Sequence, residues 1–205
     1  MSRRSRLVVL KSSLLLLLAI FLLCISSSCT STEQLRNQDI DHALKLSTEH
    51  AEKQDYRQAI EVLETALQKL HFEQKLQYNL GYLYMLSKDY QKATTSFALL
   101  VDAYPKHIGY RMAYAGALSL GGAVDQAITQ WKTVLEIDAY HETAAMLLLQ
   151  NLIQEQRFEE GYELARDMYY KQMFSKELLH MMAETERGTG RGDGTSYDAL
   201  ASAYE

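Results

Sequence analysis

A small side chain returns every 34 residues along this chain, at Ala59, Ala93, Ala127 and Gly161. Three positions before them stand Tyr56, Tyr90, Val124 and Phe158, and four positions after them Leu63, Phe97, Trp131 and Ala165. Three columns in register without an insertion mark an internal repeat, and a period of this length belongs to arrays of supersecondary units. Each period carries two apolar patterns at spacings of three and four, the period of an amphipathic helix. Leu80, Leu83 and Tyr84 form one, and Ala93, Phe97 and Leu100 the next. Breaks such as Ser87-Lys88-Asp89 and Gly121-Gly122-Ala123 separate them. With a single proline in 205 residues, a turn-rich β architecture is disfavoured. The pattern predicts helices over 38–53, 56–70, 73–87, 90–103, 107–120, 124–137, 141–154 and 158–171. A ninth, over 175–187, carries Leu178, Leu179, Met181 and Met182.

One helix pair cannot bury its own apolar face, so the units must stack. Gly81, Ala93 and Ala115 let paired helices approach, and Phe97 or Trp131 fills the space beside them. Pro105 cannot donate to a continuing helix and so ends a unit.

These residues resemble the tetratricopeptide repeat family. In the second unit Leu80, Gly81, Tyr84, Ala93, Phe97 and Pro105 fall on its signature, with Gln77 replacing a tryptophan and Leu100 an alanine. The first unit keeps Leu46, Ala59 and Ala66, the third Ala115, Leu118, Ala127 and Trp131. The fourth keeps Leu148 but has Leu149 where a small residue belongs. The resemblance covers residues 40–174 and implies an all-α fold, a right-handed superhelix of antiparallel helix pairs. About four repeats are expected, with 175–187 as a capping helix and 38–187 as one domain.

The resemblance further implies a concave groove lined by the first helix of each pair. By position this places Leu44 and Thr48, then Tyr78, Asn79, Tyr82 and Met85, then Met112 and Gly116, then Met146 and Gln150 on the groove. Tyrosine and methionine make adaptable apolar surfaces, suited to an extended segment or an amphipathic helix of another protein. Some family members grip a terminal carboxylate with basic groove residues. Leu44, Tyr78, Met112 and Met146 hold those places here, which disfavours that role.

The N-terminus reads as an address. Arg3, Arg4, Arg6 and Lys11 precede the apolar run of residues 14–25, long enough for a secretory signal and too short to span a bilayer alone. Counted from Leu7 the stretch is longer, so a retained anchor stays open. Both cysteines, Cys24 and Cys29, close this segment. Ser26-Ser27-Ser28-Cys29 resembles a bacterial lipoprotein site, with 1–28 as signal peptide, Cys29 acylated and 29–37 a polar tether. Ile25 lies one place earlier than the usual aliphatic residue, and Cys24 remains the alternative. Thr30, in place of an aspartate, points to an outer membrane in a two-membrane host. Cleavage there leaves 17 basic against 26 acidic residues, so an acyl chain and no basic patch would hold the body to lipid.

The acidic balance disfavours nucleic-acid binding. Catalytic signals are weak: His141-Glu142 is followed by Ala145 where a zinc-binding helix needs histidine. His107 and His141, one repeat apart, suit equivalent turns between units, and His42 and His50, eight apart, are too far apart for the usual adjacent-turn ligand pair. No metal, cofactor or catalytic residue is expected. Residues 188–205 read as a flexible tail containing Arg191-Gly192-Asp193, a tripeptide that integrins recognise. Beyond it, Tyr197, Leu200, Ala201 and Tyr204 could share a stripe of a short helix. The expected function is that of a non-enzymatic, lipid-anchored bacterial envelope protein that docks partner proteins in its groove and helps assemble a complex. The alternatives are an adhesin using the tail, or an accessory protein holding an apolar small ligand.

Overall fold

The computed structural model describes residues 33–204, which hold ten helices and no strand. They are α1 (33–52), α2 (Tyr56–Leu70), α3 (Gln74–Leu86), α4 (Tyr90–Ala103), α5 (Ile108–Leu120), α6 (Val124–Ile137), α7 (Glu142–Gln154), α8 (Phe158–Tyr170), α9 (Lys176–Thr189) and α10 (Thr195–Ala203). The signal peptide, Cys24 and Cys29 lie outside the described residues. The chain divides after Leu76 into two compact units.

In the first unit, Ile40, Ala43 and Ser47 of α1 are buried, as are Ala59 and Leu63 of α2. Lys69 pairs with Asp39 at 2.6 Å, tying α2 to α1. Residues 33–37, expected in a polar tether, are already helical, and Arg36 reaches Glu73 at 3.0 Å. Polar side chains do not oppose a helix whose exposed face they occupy, so composition alone misplaced its start.

In the second unit each helix from α4 onward packs on the next, and α7 also touches α9. Ala93 and Ala127 are fully buried, and Gly161 is buried with them. The repeat period is carried by the backbone as well. The second helices α2, α4, α6 and α8 begin 34 residues apart, and so do the first helices α3, α5, α7 and α9. Gln54, Lys88, Gly122, Gln156 and Gly190 hold the left-handed conformation at the same interval. The N–H after each donates to a carbonyl five residues earlier, from Asp55 to His50 through to Arg191 to Glu186, closing the first helix with a left-handed cap.

That fifth turn corrects the expected tail. The lid helix α9 stands in register as the first helix of a further unit, with Ala183 fully buried at the place of Ala115. Its partner α10 starts at Thr195, three residues later than the period requires, and packs on α9 with Ala201 buried. The intervening Gly192-Asp193-Gly194 breaks the 34-residue phase, which is why its glycines read as a flexible segment.

Core volume is kept by exchanging bulk between paired helices. Gly81 faces Phe97 in one unit, and Ala115 shares a buried cluster with Trp131 in the next. In the fourth repeat the large residue sits on the first helix: Leu149 is fully buried in one cluster with Ala165, beside Gly161. Close packing needs the filled volume and is indifferent to which helix supplies it.

A candidate protein-docking strip and its C-terminal closure

First-helix starts one repeat apart set equivalent side chains at equivalent places. His107 and His141 prepare two of these starts, their Nδ1 atoms accepting the N–H of Tyr110 at 3.2 Å and of Ala144 at 3.1 Å. Ser175 caps α9 in the same way, accepting from Leu178 at 3.0 Å. The histidines expected at equivalent turns therefore act as helix caps.

In the second unit, the expected groove residues of α3 reach the surface. Tyr78 is 37% and Tyr82 52% exposed, Asn79 is exposed beside them, and Met85 is half-buried. The Tyr78 ring meets Phe97 edge-on at 5.7 Å and Tyr110 of α5 at 5.7 Å. Tyr110 in turn stacks on His107 at 3.8 Å and meets Tyr104 at 5.8 Å. Tyr78 is thus held by buried rings beneath while its edge stays open. A side chain at Gly116 would touch the Met85 methyl at 4.0 Å, so α3 and α5 present one continuous surface.

Met112 and Met146 are half-buried and lie against the Trp131 and Met168 clusters, so they belong as much to the core as to the surface. Gln150 is exposed on α7. In the first unit Leu44 is half-buried and Thr48 exposed, its hydroxyl donating to the Leu44 carbonyl at 2.8 Å. Position-by-position transfer from the family missed Leu86 and Leu120. They are 40% and 56% exposed, one repeat apart, and four residues beyond Tyr82 and Gly116. The spacing of four that unites Tyr78 and Tyr82 on one face would have found them.

Three columns of the strip carry no charge on α3, α5 or α7, and Lys75 lies exposed one turn before Tyr78. Tyr78, Met112 and Met146 share one column, Tyr82, Gly116 and Gln150 a second, and Met85, Ser119 and Ile153 a third. On α9 these columns become His180, Glu184 and Arg187. There Asp198 of α10 meets both basic side chains, His180 at 3.3 Å and Arg187 at 2.8 Å. Arg187 first and His180 second hold the Asp198 carboxyl below its ordinary range. The C-terminal helix thus closes the strip through Asp198, its ion pair with Arg187 and its contact with His180.

The tripeptide at 191–193 is built into that closure. Arg191 pairs with Glu159 and lies over the Tyr162 ring at 4.8 Å. This copies, one repeat on, the pairing of Arg157 with Asp125 at 2.9 Å. The Asp193 carboxylate accepts the Thr195 N–H at 3.0 Å and its hydroxyl at 2.7 Å, which holds its pKa below the usual value. Both charged side chains of the tripeptide therefore have partners within the chain.

Among the described residues, no group of three or more His, Cys, Asp or Glu side chains could hold a metal ion. Nor is any described helix long and apolar enough to cross a membrane.

No family model matches the chain, and no curated protein does. Solved structures do. A tetratricopeptide repeat protein from Parabacteroides merdae superposes with a TM-score of 0.72 at 19% identity, over 81% of this chain and 66% of that one. The MamA protein gives 0.70 at 15% identity, over 80% and 91%. A Podosopora anserina putative kinesin light chain, with nearly identical TPR-like repeats, gives 0.66 at 15%, over 80% and 93%. At these identities the likeness establishes a shared fold.

Proposed function

We propose that this chain, which has the tetratricopeptide-repeat fold, is a non-enzymatic docking protein whose uncharged strip on α3, α5 and α7 receives an apolar segment of a partner protein. The observation that carries the proposal is Tyr78 and Tyr82, open at 37% and 52%, in columns that hold no charge from α3 to α7, in a chain of formal charge −5. Exposed aromatic rings supported from below lose little freedom on contact and are frequent anchors of protein interfaces. Residue 29 supplies the second half of the reading. Acylated at Cys29 after removal of residues 1–28, the protein is held to the bacterial envelope, at the periplasmic face of an outer membrane in a two-membrane host. There it helps assemble an envelope complex.

Two experiments test the two halves separately. Crosslinked partners are recovered from the native host with the intact chain and with the Tyr78→Ala/Tyr82→Ala variant. Equal recovery of every partner by both rejects the docking strip. Labelled palmitate is expected in the intact chain and absent from Cys29→Ser, and label surviving that substitution removes the anchor.

A further inference from the structure

Between α6 and α8 lies a cleft of about 550 Å³, lined by Leu135 of α6, Leu148 and Leu152 of α7 and Leu164 of α8. Leu148 and Leu152 are nearly inaccessible and form its floor, while Leu135 and Leu164 are half-buried at its sides. The cleft is on the other side of α7 from the uncharged strip. Leu148 and Leu152 follow Met146 and Gln150 by two residues each, about 200° around a helix of 3.6 residues per turn.

The rim is as charged as the strip is neutral. Glu136, Glu159, Glu160 and Glu163 surround the opening together with Lys132. Lys132 bonds Glu160 at 2.8 Å and Arg157 bonds the same carboxylate at 2.7 Å, so Glu160 is already neutralised. Glu159 faces Arg191, and Glu163 pairs only with Arg166 on its own helix. Glu136 has no salt bridge among the described residues.

We infer that this cleft is a second docking site, for an amphipathic helix that places bulky apolar side chains over Leu148 and Leu152 and Lys or Arg opposite Glu136 and Glu163. A fatty acid or other anionic amphiphile would bring its head group against the unbridged Glu136 carboxylate and against Glu163, whose one partner is the exposed Arg166. A neutral one would leave Glu136 unanswered. Glu159 or Glu160 and Glu163 stand one helical turn apart, the interval at which cations recur along a helix laid beside α8. A helix laid in an apolar groove is taken by anchor side chains three, four and seven residues apart, and the leucine floor supplies such a groove. The inference stands on the cleft and its rim and does not require the strip.

The probe is a fifteen-residue Leu–Lys helical peptide carrying one photoreactive leucine, offered to the full-length chain in a neutral detergent. Its affinity is read by fluorescence anisotropy and its position by mass spectrometry after irradiation. Crosslinks are expected at Leu135, Leu148, Leu152 and Leu164. Glu136→Lys/Glu163→Lys is expected to weaken binding by more than about tenfold, and Tyr78→Ala/Tyr82→Ala to leave it unchanged. Crosslinks that map elsewhere overturn the inference, as does affinity indifferent to the charge reversal or equal binding of the matching Leu–Glu peptide. If dodecyltrimethylammonium protects the cleft from labelling by a small diazirine while the peptide does not, the occupant is a small amphiphile and the helix is rejected. A strip variant that loses its native partners while keeping this peptide separates the two sites.

Discussion

Gly81 stands face to face with Phe97: a Cβ built on the glycine would lie 2.8 Å from two atoms of the ring. Phe97 is fully buried and held edge-on by Tyr78, so the ring has little room to retreat. Alanine at position 81 would gain about 1 kcal/mol in helix propensity and lose more to the overlap. Gly81→Ala is expected to destabilise the second unit by about 1–3 kcal/mol in chemical denaturation. An unchanged or raised midpoint would mean that the two helices can part at no cost.

The exchange of bulk in the fourth unit makes the converse prediction. Leu149→Ala empties a fully buried site and should cost about 2–5 kcal/mol. Ala165→Phe, which restores the arrangement of the second unit, is expected to be destabilising alone by overpacking against Leu149. Together the two should cost less than the sum of the single effects. A double-mutant cycle with no coupling would show that the positions do not share one volume.

Helix capping is uneven along the array. Asp55 and Asp89 each accept an N–H at 3.2 Å, from Gln58 and Lys92, while Ala123 at the same place provides no side-chain cap for α6. Ala123→Asp is expected to stabilise by about 1 kcal/mol, and Asp89→Ala to destabilise by a similar amount. Thermal melts of the two variants should move in opposite directions.

Acid sensitivity has an identifiable local source. Hydrogen bonds from Arg157 and then Lys132 pull the Glu160 pKa down to about 2 from 4.5. A carboxylate with a depressed folded-state pKa stabilises the fold fully above its unfolded value, and that contribution disappears as pH falls from about 4.5 toward 2. Glu160 is 44% exposed, so solvent screening limits the effect to under about 1 kcal/mol. The fall in Tm between pH 5 and pH 2 should be smaller in Glu160→Gln than in the parent. Equal slopes would mean that the bridge from α6 to α8 does not contribute to stability.

Much of this protein is written in local pattern. The 34-residue period, the helix pairs from α2 to α8 and the buried places of Ala59, Ala93, Ala127 and Gly161 follow from spacing, because burial repeats wherever the same hairpin does. The family resemblance placed Tyr78 and Tyr82 on an open face, and both are exposed. Other features depend on contacts between residues far apart in sequence. Leu149 looked misplaced until Gly161 and Ala165 were seen beside it. Residues 190–194 looked like a loose tail until Glu159 was found opposite Arg191 and Glu186 behind Gly194.

By itself the order of residues determined a repeating helical array, since that depends on periodicity within a single helix or hairpin. Only the tertiary structure decided where the array closes, which helix supplies the bulk in each layer, and that a leucine-floored cleft opens between α6 and α8. Those features come from volumes and charges contributed by different helices, and no spacing along the chain records how such contributions add.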